Sequence, residues 1–170
     1  IDQLNRGILT DKEGKILETV ILGKAIALIK KYINLEKDYF WIVYPRNKNI
    51  NNLHLQVAGI WDPYQLNQFD KNNSEKDPNE LLEELNLNNN YFSIRGELVY
   101  VNTKKKEIVI KICSSPPSKR SKYSTFKIII EGEIPLQFLN NFVSLDVIRD
   151  GNTLRMVKYE IIEKLKSEKV

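Results

Sequence analysis

A chain of 170 residues, 42% hydrophobic and 28% charged, has the length of one ordinary domain or two small ones and a globular composition, which excludes a fibre, a disordered tail and an apolar run long enough to span a bilayer as a helix. Its single cysteine, Cys113, and single histidine, His54, exclude an internal disulfide framework and the usual Cys/His zinc sites. The formal net charge of +4 is an average: residues 1–90 carry a net −2 and residues 91–170 a net +6, so an anionic partner is expected for the second half.

In chain order, Gly7-Ile8-Leu9, a turn at Asp11-Lys12-Glu13-Gly14 and Lys15-Ile16-Leu17 predict a short hairpin. Residues 16–33 are ambiguous. Leu17, Ile21, Ala25, Leu28 and Tyr32 fit a helical stripe, whereas Gly23 and the β-branched Val20, Ile21, Ile26 and Ile29 favour a strand, which is expected over 20–32. The aromatic-aliphatic run 39–44 predicts a strand stopped by Pro45. After a polar loop, Leu53–Trp61 predicts a strand with one buried face, because Leu53, Leu55 and Val57 alternate with His54 and Gln56.

A polar, Asn-rich linker follows from about Asp62 to Asn90. Asp77 as N-cap, Pro78 at the first helical position and leucines at 81, 82, 85 and 87 predict one short helix there. Beyond it, strands are expected at 91–101, 106–113, 125–132, 142–149 and 153–162, with a Ser/Pro/Lys/Arg-rich loop at 114–124, a short helical piece near 136–141 and a turn at Asp150-Gly151-Asn152. Five strands with a long loop after the second and a helical piece between the third and fourth resemble a small closed barrel of the oligonucleotide-binding (OB) type. The expected organisation is therefore an N-terminal β region over 1–61, a linker over 62–90 and an OB-like barrel over 91–170. A run from Gly23 to Ile29 echoes Gly96 to Val101, each followed by a bend and a second strand. That echo fits two barrels in tandem and fits equally a single larger β-structure. The fold class is mainly β: small antiparallel β-barrels, OB-like, with one short helix in the linker.

No phosphate loop, dinucleotide fingerprint, zinc-protease or nucleophile-elbow motif occurs. His54 alternates with leucines on a strand and reads as a rim or outward residue. Cys113, beside Lys111, reads as a small apolar strand residue rather than a nucleophile. The sequence calls for no catalytic residue, no metal and no cofactor, and a non-enzymatic module is expected.

Binding features are stronger. Residues 95–127 hold nine Lys/Arg against Glu97 and Glu107, interleaved with aromatic rings, the combination that holds single-stranded nucleic acid by its phosphates and bases. Lys104, Lys105 and Lys106 at a hairpin tip, with Lys111, Lys119, Arg120, Lys122 and Tyr123, are the candidate nucleic-acid contacts. The bland alternative is that tip lysines guard strand edges. A second cluster, Trp41, Tyr44, Arg46 and Trp61, suits a protein interface, with plugging of barrel ends by the tryptophans as its alternative. The expected partners are RNA or single-stranded DNA, or a protein, and no membrane.

The strings 41–46 (WIVYPR), 53–61 (LHLQVAGIW) and 91–100 (YFSIRGELVY) resemble a conserved-hypothetical protein family of cyanobacteria and plastid-bearing lineages, over about residues 20–162. The 20 Lys, 18 Asn and 21 Ile suit an AT-rich member of that group. The resemblance implies a cytoplasmic or stromal protein. It carries no catalytic signature, so no functional residue comes with it.

Overall fold

The structure, a computed structural model, describes residues 5–61, 80, 83, 88–114 and 123–164. Its contacts divide the chain into two compact units, Ile1–Arg46 with His54–Asn89, and Asn47–Leu53 with Asn90–Val170.

In the first unit, strands β1 (Asn5–Thr10) and β2 (Ile16–Ile21) form the predicted hairpin, with Leu9 opposite Leu17. Its turn is held by the Asp11 carboxylate, which accepts the Lys15 amide at 2.8 Å. The strand predicted over 20–32 is corrected: β2 ends at Ile21 and helix α1 occupies Gly23–Tyr32. Gly23 opens the helix rather than interrupting a strand, so its low propensity costs little there. Burial of Ala25, with Ile26, Leu28 and Ile29 half-buried on the same side, outweighs the few tenths of a kcal/mol that β-branched residues cost a helix. Strand β3 (Phe40–Asn47) also departs from expectation by running through Pro45. In the sheet order β1-β2-β4-β3, with β4 at Leu53–Trp61, β3 is an edge among the described strands, and an edge strand tolerates the missing amide. Strand β2 pairs in parallel with β4, Thr19 opposite Leu55. Leu17, Leu53, Leu55 and Val57 form the buried face.

The predicted linker helix lies almost wholly outside the described residues. Of it, Glu80 and Glu83 are helical and exposed.

The second unit contains strands β5 (Tyr91–Asn102), β6 (Glu107–Ser114), β7 (Ser124–Glu131), β8 (Asn141–Asp150) and β9 (Thr153–Lys164), with a 3-10 turn at Leu136–Phe138. They close into a barrel in the order β5-β6-β7-β9-β8, β5 also pairing with β8. The seam is narrow: β7 meets β9 in parallel at Glu131 and Arg155. Alternating residues fill the interior, and Leu98, Ile108, Ile110, Ile128, Ile130, Val143, Leu145 and Val147 are each 0% exposed. Each such aliphatic burial stabilises the fold by about 1.5–3 kcal/mol. Gly96 permits the close approach of β5 to β6, since a Cβ there would meet the Lys111 carbonyl and Ile110 Cγ2.

The two units share one plan. The order β1-β2-β4-β3 matches β6-β7-β9-β8, the parallel pair β2–β4 matches β7–β9, and α1 stands where the 3-10 turn stands. The chain is thus two OB-type units in tandem. The described strands of the first form an open sheet, without an equivalent of β5. The echo between Gly23–Ile29 and Gly96–Val101 paired a helix with a strand. The repeat is real, but the echo in the sequence is offset from it by three elements, since the counterpart of α1 is the 3-10 turn that follows β7 and not β5.

Candidate nucleic-acid interface

Because β6 and β7 bury Ile108, Ile110, Ile128 and Ile130, the intervening residues must face outward. The register pairs Val109 with Ile129 and Lys111 with Lys127 on that outer wall. Strand β5 adds Val99 and, across a bulge opposite Val109, Tyr100. The result is a groove of about 440 Å3 in the second unit, floored by Val99, Val109 and Ile129 and bordered by Tyr100, Lys127 and Lys48. The Tyr100 ring is 44% exposed. Its hydroxyl accepts a hydrogen bond from the Asn102 amide at 3.1 Å, and the Asn102 carbonyl oxygen in turn accepts the Lys105 backbone amide at 3.1 Å. One side chain thereby fixes both the ring and the turn that carries the basic tip.

The structure sorts the predicted cations. Lys104 and Lys105 are exposed at the tip, with no carboxylate partner among the described residues. Lys106 is structural: its backbone is left-handed (φ 52°), its carbonyl accepts the Gly132 amide at 2.8 Å, and its ammonium pairs with Glu133 at 3.2 Å. Lys111 pairs with Glu97 at 3.0 Å, which reduces its free charge. Tyr123, just before β7, is 71% exposed. Lys119, Arg120 and Lys122 lie outside the described residues. The candidate contacts chosen from the sequence leave out Lys48, the apolar floor and Lys127, although Lys127 belongs to the basic 95–127 stretch. The signal for Lys127 was present, since it sits one strand position from the buried Ile128. Arg149, by contrast, is a cation withdrawn from any ligand. It is 8% exposed, and its guanidinium donates to Asn90 Oδ1 at 2.8 Å and to the Gly151 carbonyl at 3.0 Å.

In the first unit the aromatic cluster divides. Trp41 packs edge-on against Tyr39, with centroids 6.3 Å apart, and Trp61 packs on Phe40 at 5.6 Å. Phe40 and Trp41 alternate on β3, so these two contacts lie on opposite faces. Tyr44 is 53% exposed. Arg46 is half-buried, donates to the Pro45 carbonyl at 3.1 Å, and has its pKa lowered by that burial. His54 is half-buried on β4 and Cys113 is exposed on β6. Among the described residues no group of three metal-ligating side chains occurs, and no helix is long and apolar enough to cross a membrane.

Comparison with known proteins gives two family matches and places them in order along the chain. Residues 1–68 match the N-terminal OB-fold domain of the PatR RNA-binding protein, and residues 94–163 match a cyanobacterial OB-fold-like RNA-binding domain, C-terminal. No curated protein and no solved structure gives a significant match. The strand orders above and these two matches agree: the chain carries two OB-type domains in tandem, each similar to an OB-fold RNA-binding domain.

Proposed function

We infer that this protein is a non-enzymatic module that binds single-stranded RNA along the outer wall of β5, β6 and β7. One observation carries the reading: that wall, the one by which OB barrels hold oligonucleotides, has an exposed ring, Tyr100, over an apolar floor, with Lys48 and Lys127 beside it. Bases stack on the ring and fill the floor, while the lysines take phosphates. The tip residues Lys104 and Lys105 extend the positive track beyond Tyr100, and Tyr123 offers a further ring. Lys119, Arg120 and Lys122, in the sequence between β6 and β7, supply further cations. Both matched families are RNA-binding by description, which favours RNA over DNA and binding over catalysis. A cytoplasmic location fits such a partner.

Titration of a labelled mixed-sequence RNA at several salt concentrations tests this. With Lys48, Lys104, Lys105 and Lys127 on phosphates, log affinity should fall against log salt with a slope of about −3. Absence of binding at low salt sinks the reading, as does affinity indifferent to salt. A second reading, a protein docked on β3, draws on the exposure of Ile42 (44%) and Tyr44 (53%) on that edge. A partner lost on Tyr44→Ala, with RNA binding intact, would support it.

A further inference from the structure

A second concave site lies on a different wall of the barrel, across β5, β8 and β9. The register sets Ser93, Asp146 and Lys158 in one transverse row and Arg95, Ser144 and Glu160 in the next. These rows and Tyr91 line a cavity of about 210 Å3 with mainly polar walls, smaller than a drug-sized pocket and on the scale of one nucleotide. The Tyr91 ring is 42% exposed, and its hydroxyl donates to Asp146 Oδ1 at 2.6 Å. That bond fixes the ring plane and the carboxylate together. Oδ2 of Asp146 makes no hydrogen bond among the described residues, and Lys158 is taken by Glu160 at 3.3 Å. Arg95 is exposed and has no ion-pair partner among the described residues.

We propose that this cavity holds one guanine base, stacked on Tyr91, with its Watson–Crick edge on the Asp146 carboxylate and its phosphate on Arg95. The inference rests on the reading of the chain as an RNA-binding protein. The chemistry selects the base. An ionised carboxylate only accepts hydrogen bonds. Guanine presents two adjacent donors, N1–H and the N2 amino group. Adenine and cytosine set a donor beside an acceptor, and uracil sets its one donor between two acceptors. A base lying on the Tyr91 ring has its edge directed at the same carboxylate that the phenol meets. Recognition of a splayed base by stacking and edge hydrogen bonds is the common mode for single-stranded RNA.

The test measures anisotropy of a short labelled uridine-tract RNA carrying one central guanine, inosine, adenine or uridine. The full chain should prefer guanine over adenine and uridine by about tenfold, with inosine, which lacks the N2 amino group, between them. Asp146→Asn should abolish the preference while leaving the uridine tract bound, and Arg95→Gln should weaken the guanine RNA more than the plain tract. Circular dichroism on each variant checks that the barrel is intact. Competition by GMP and AMP separates a base within RNA from a free nucleotide, and stronger displacement by GMP supports the same guanine chemistry. Equal affinity for all four RNAs, or a guanine preference that survives Asp146→Asn, overturns the proposal and leaves RNA binding on the β5–β7 wall standing. Failure of every RNA to bind overturns both.

Discussion

The side-chain amide of Asn47 engages the backbone of Ile129 as a neighbouring strand would. Asn47 Oδ1 accepts the Ile129 amide at 2.9 Å, and its Nδ2 donates to the Ile129 carbonyl at 2.7 Å. Both backbone groups point away from β6, on the side where β7 would otherwise meet β9, and that pairing is confined to Glu131 and Arg155. Asn47, only 9% exposed, therefore satisfies a gap in the seam and sets the position of the groove floor at Ile129.

Asn47→Ala removes both bonds and leaves the Ile129 backbone partly buried. The expected loss is about 1–3 kcal/mol for the second unit. Hydrogen exchange reads it locally: the Ile129 amide should exchange markedly faster, while Ile128 and Ile130 keep more of their protection. Unchanged exchange at Ile129 would show that water replaces the amide at no cost.

Glu97→Gln should strengthen RNA binding. On the outer wall Lys111 stands opposite Lys127, a like-charge pair that weakens the sheet, and Glu97 offsets it from the other side through its 3.0 Å contact with Lys111. Releasing Lys111 adds one free cation to the groove. Affinity at low salt should rise several-fold and the salt slope should steepen by about 0.7. Because both side chains are partly exposed, the stability lost is at most about 1 kcal/mol. Affinity that falls instead would mean Glu97 itself touches the RNA.

Gly96→Ala should destabilise the barrel without any direct effect on the ligand. The new methyl would collide with the Lys111 carbonyl and lie 2.8 Å from Ile110 Cγ2, and neither backbone nor buried isoleucine can give way cheaply. The cost is about 1–3 kcal/mol or more by overpacking. A lowered urea midpoint, with RNA affinity preserved below the transition, is the expected result.

The second unit was legible in the sequence because strands such as β8 alternate a buried aliphatic with a polar or charged residue, as Val143-Ser144-Leu145-Asp146-Val147 does, and because Asp150-Gly151-Asn152 marks its turn. The first was less so. Ile26 and Ile29 carry strand propensity but sit on a helix held by burial around Ala25, and Pro45 signals a stop because the edge position of β3 among the described strands depends on pairing between segments far apart in sequence. The groove was half legible. Lys104 and Lys105 stand out as charges. However, the loss of Lys106 to Glu133 and of Lys111 to Glu97, and the contribution of Asn47 and Lys48, are products of tertiary contact that no local pattern encodes.

The Tyr91–Asp146 bond also predicts an alkaline signature. The phenol donates to a carboxylate, which can accept only while the tyrosine keeps its proton, so this hydrogen bond raises the Tyr91 pKa; burial and the Asp146 charge add to the rise, and Ser93 and Arg95 oppose it. The folded-state value therefore lies above that of the unfolded chain. The associated stability is fully present below the ordinary tyrosine range and is lost as pH climbs through the raised folded-state value. Followed by NMR of the Tyr91 ring carbon bearing the hydroxyl, the phenol should titrate later than tyrosine in the denatured protein, and Asp146→Asn should bring it back toward the ordinary value. A Tyr91 titration unmoved by Asp146→Asn would mean that the carboxylate does not hold the ring, and the stacking platform of the guanine site would lose its support.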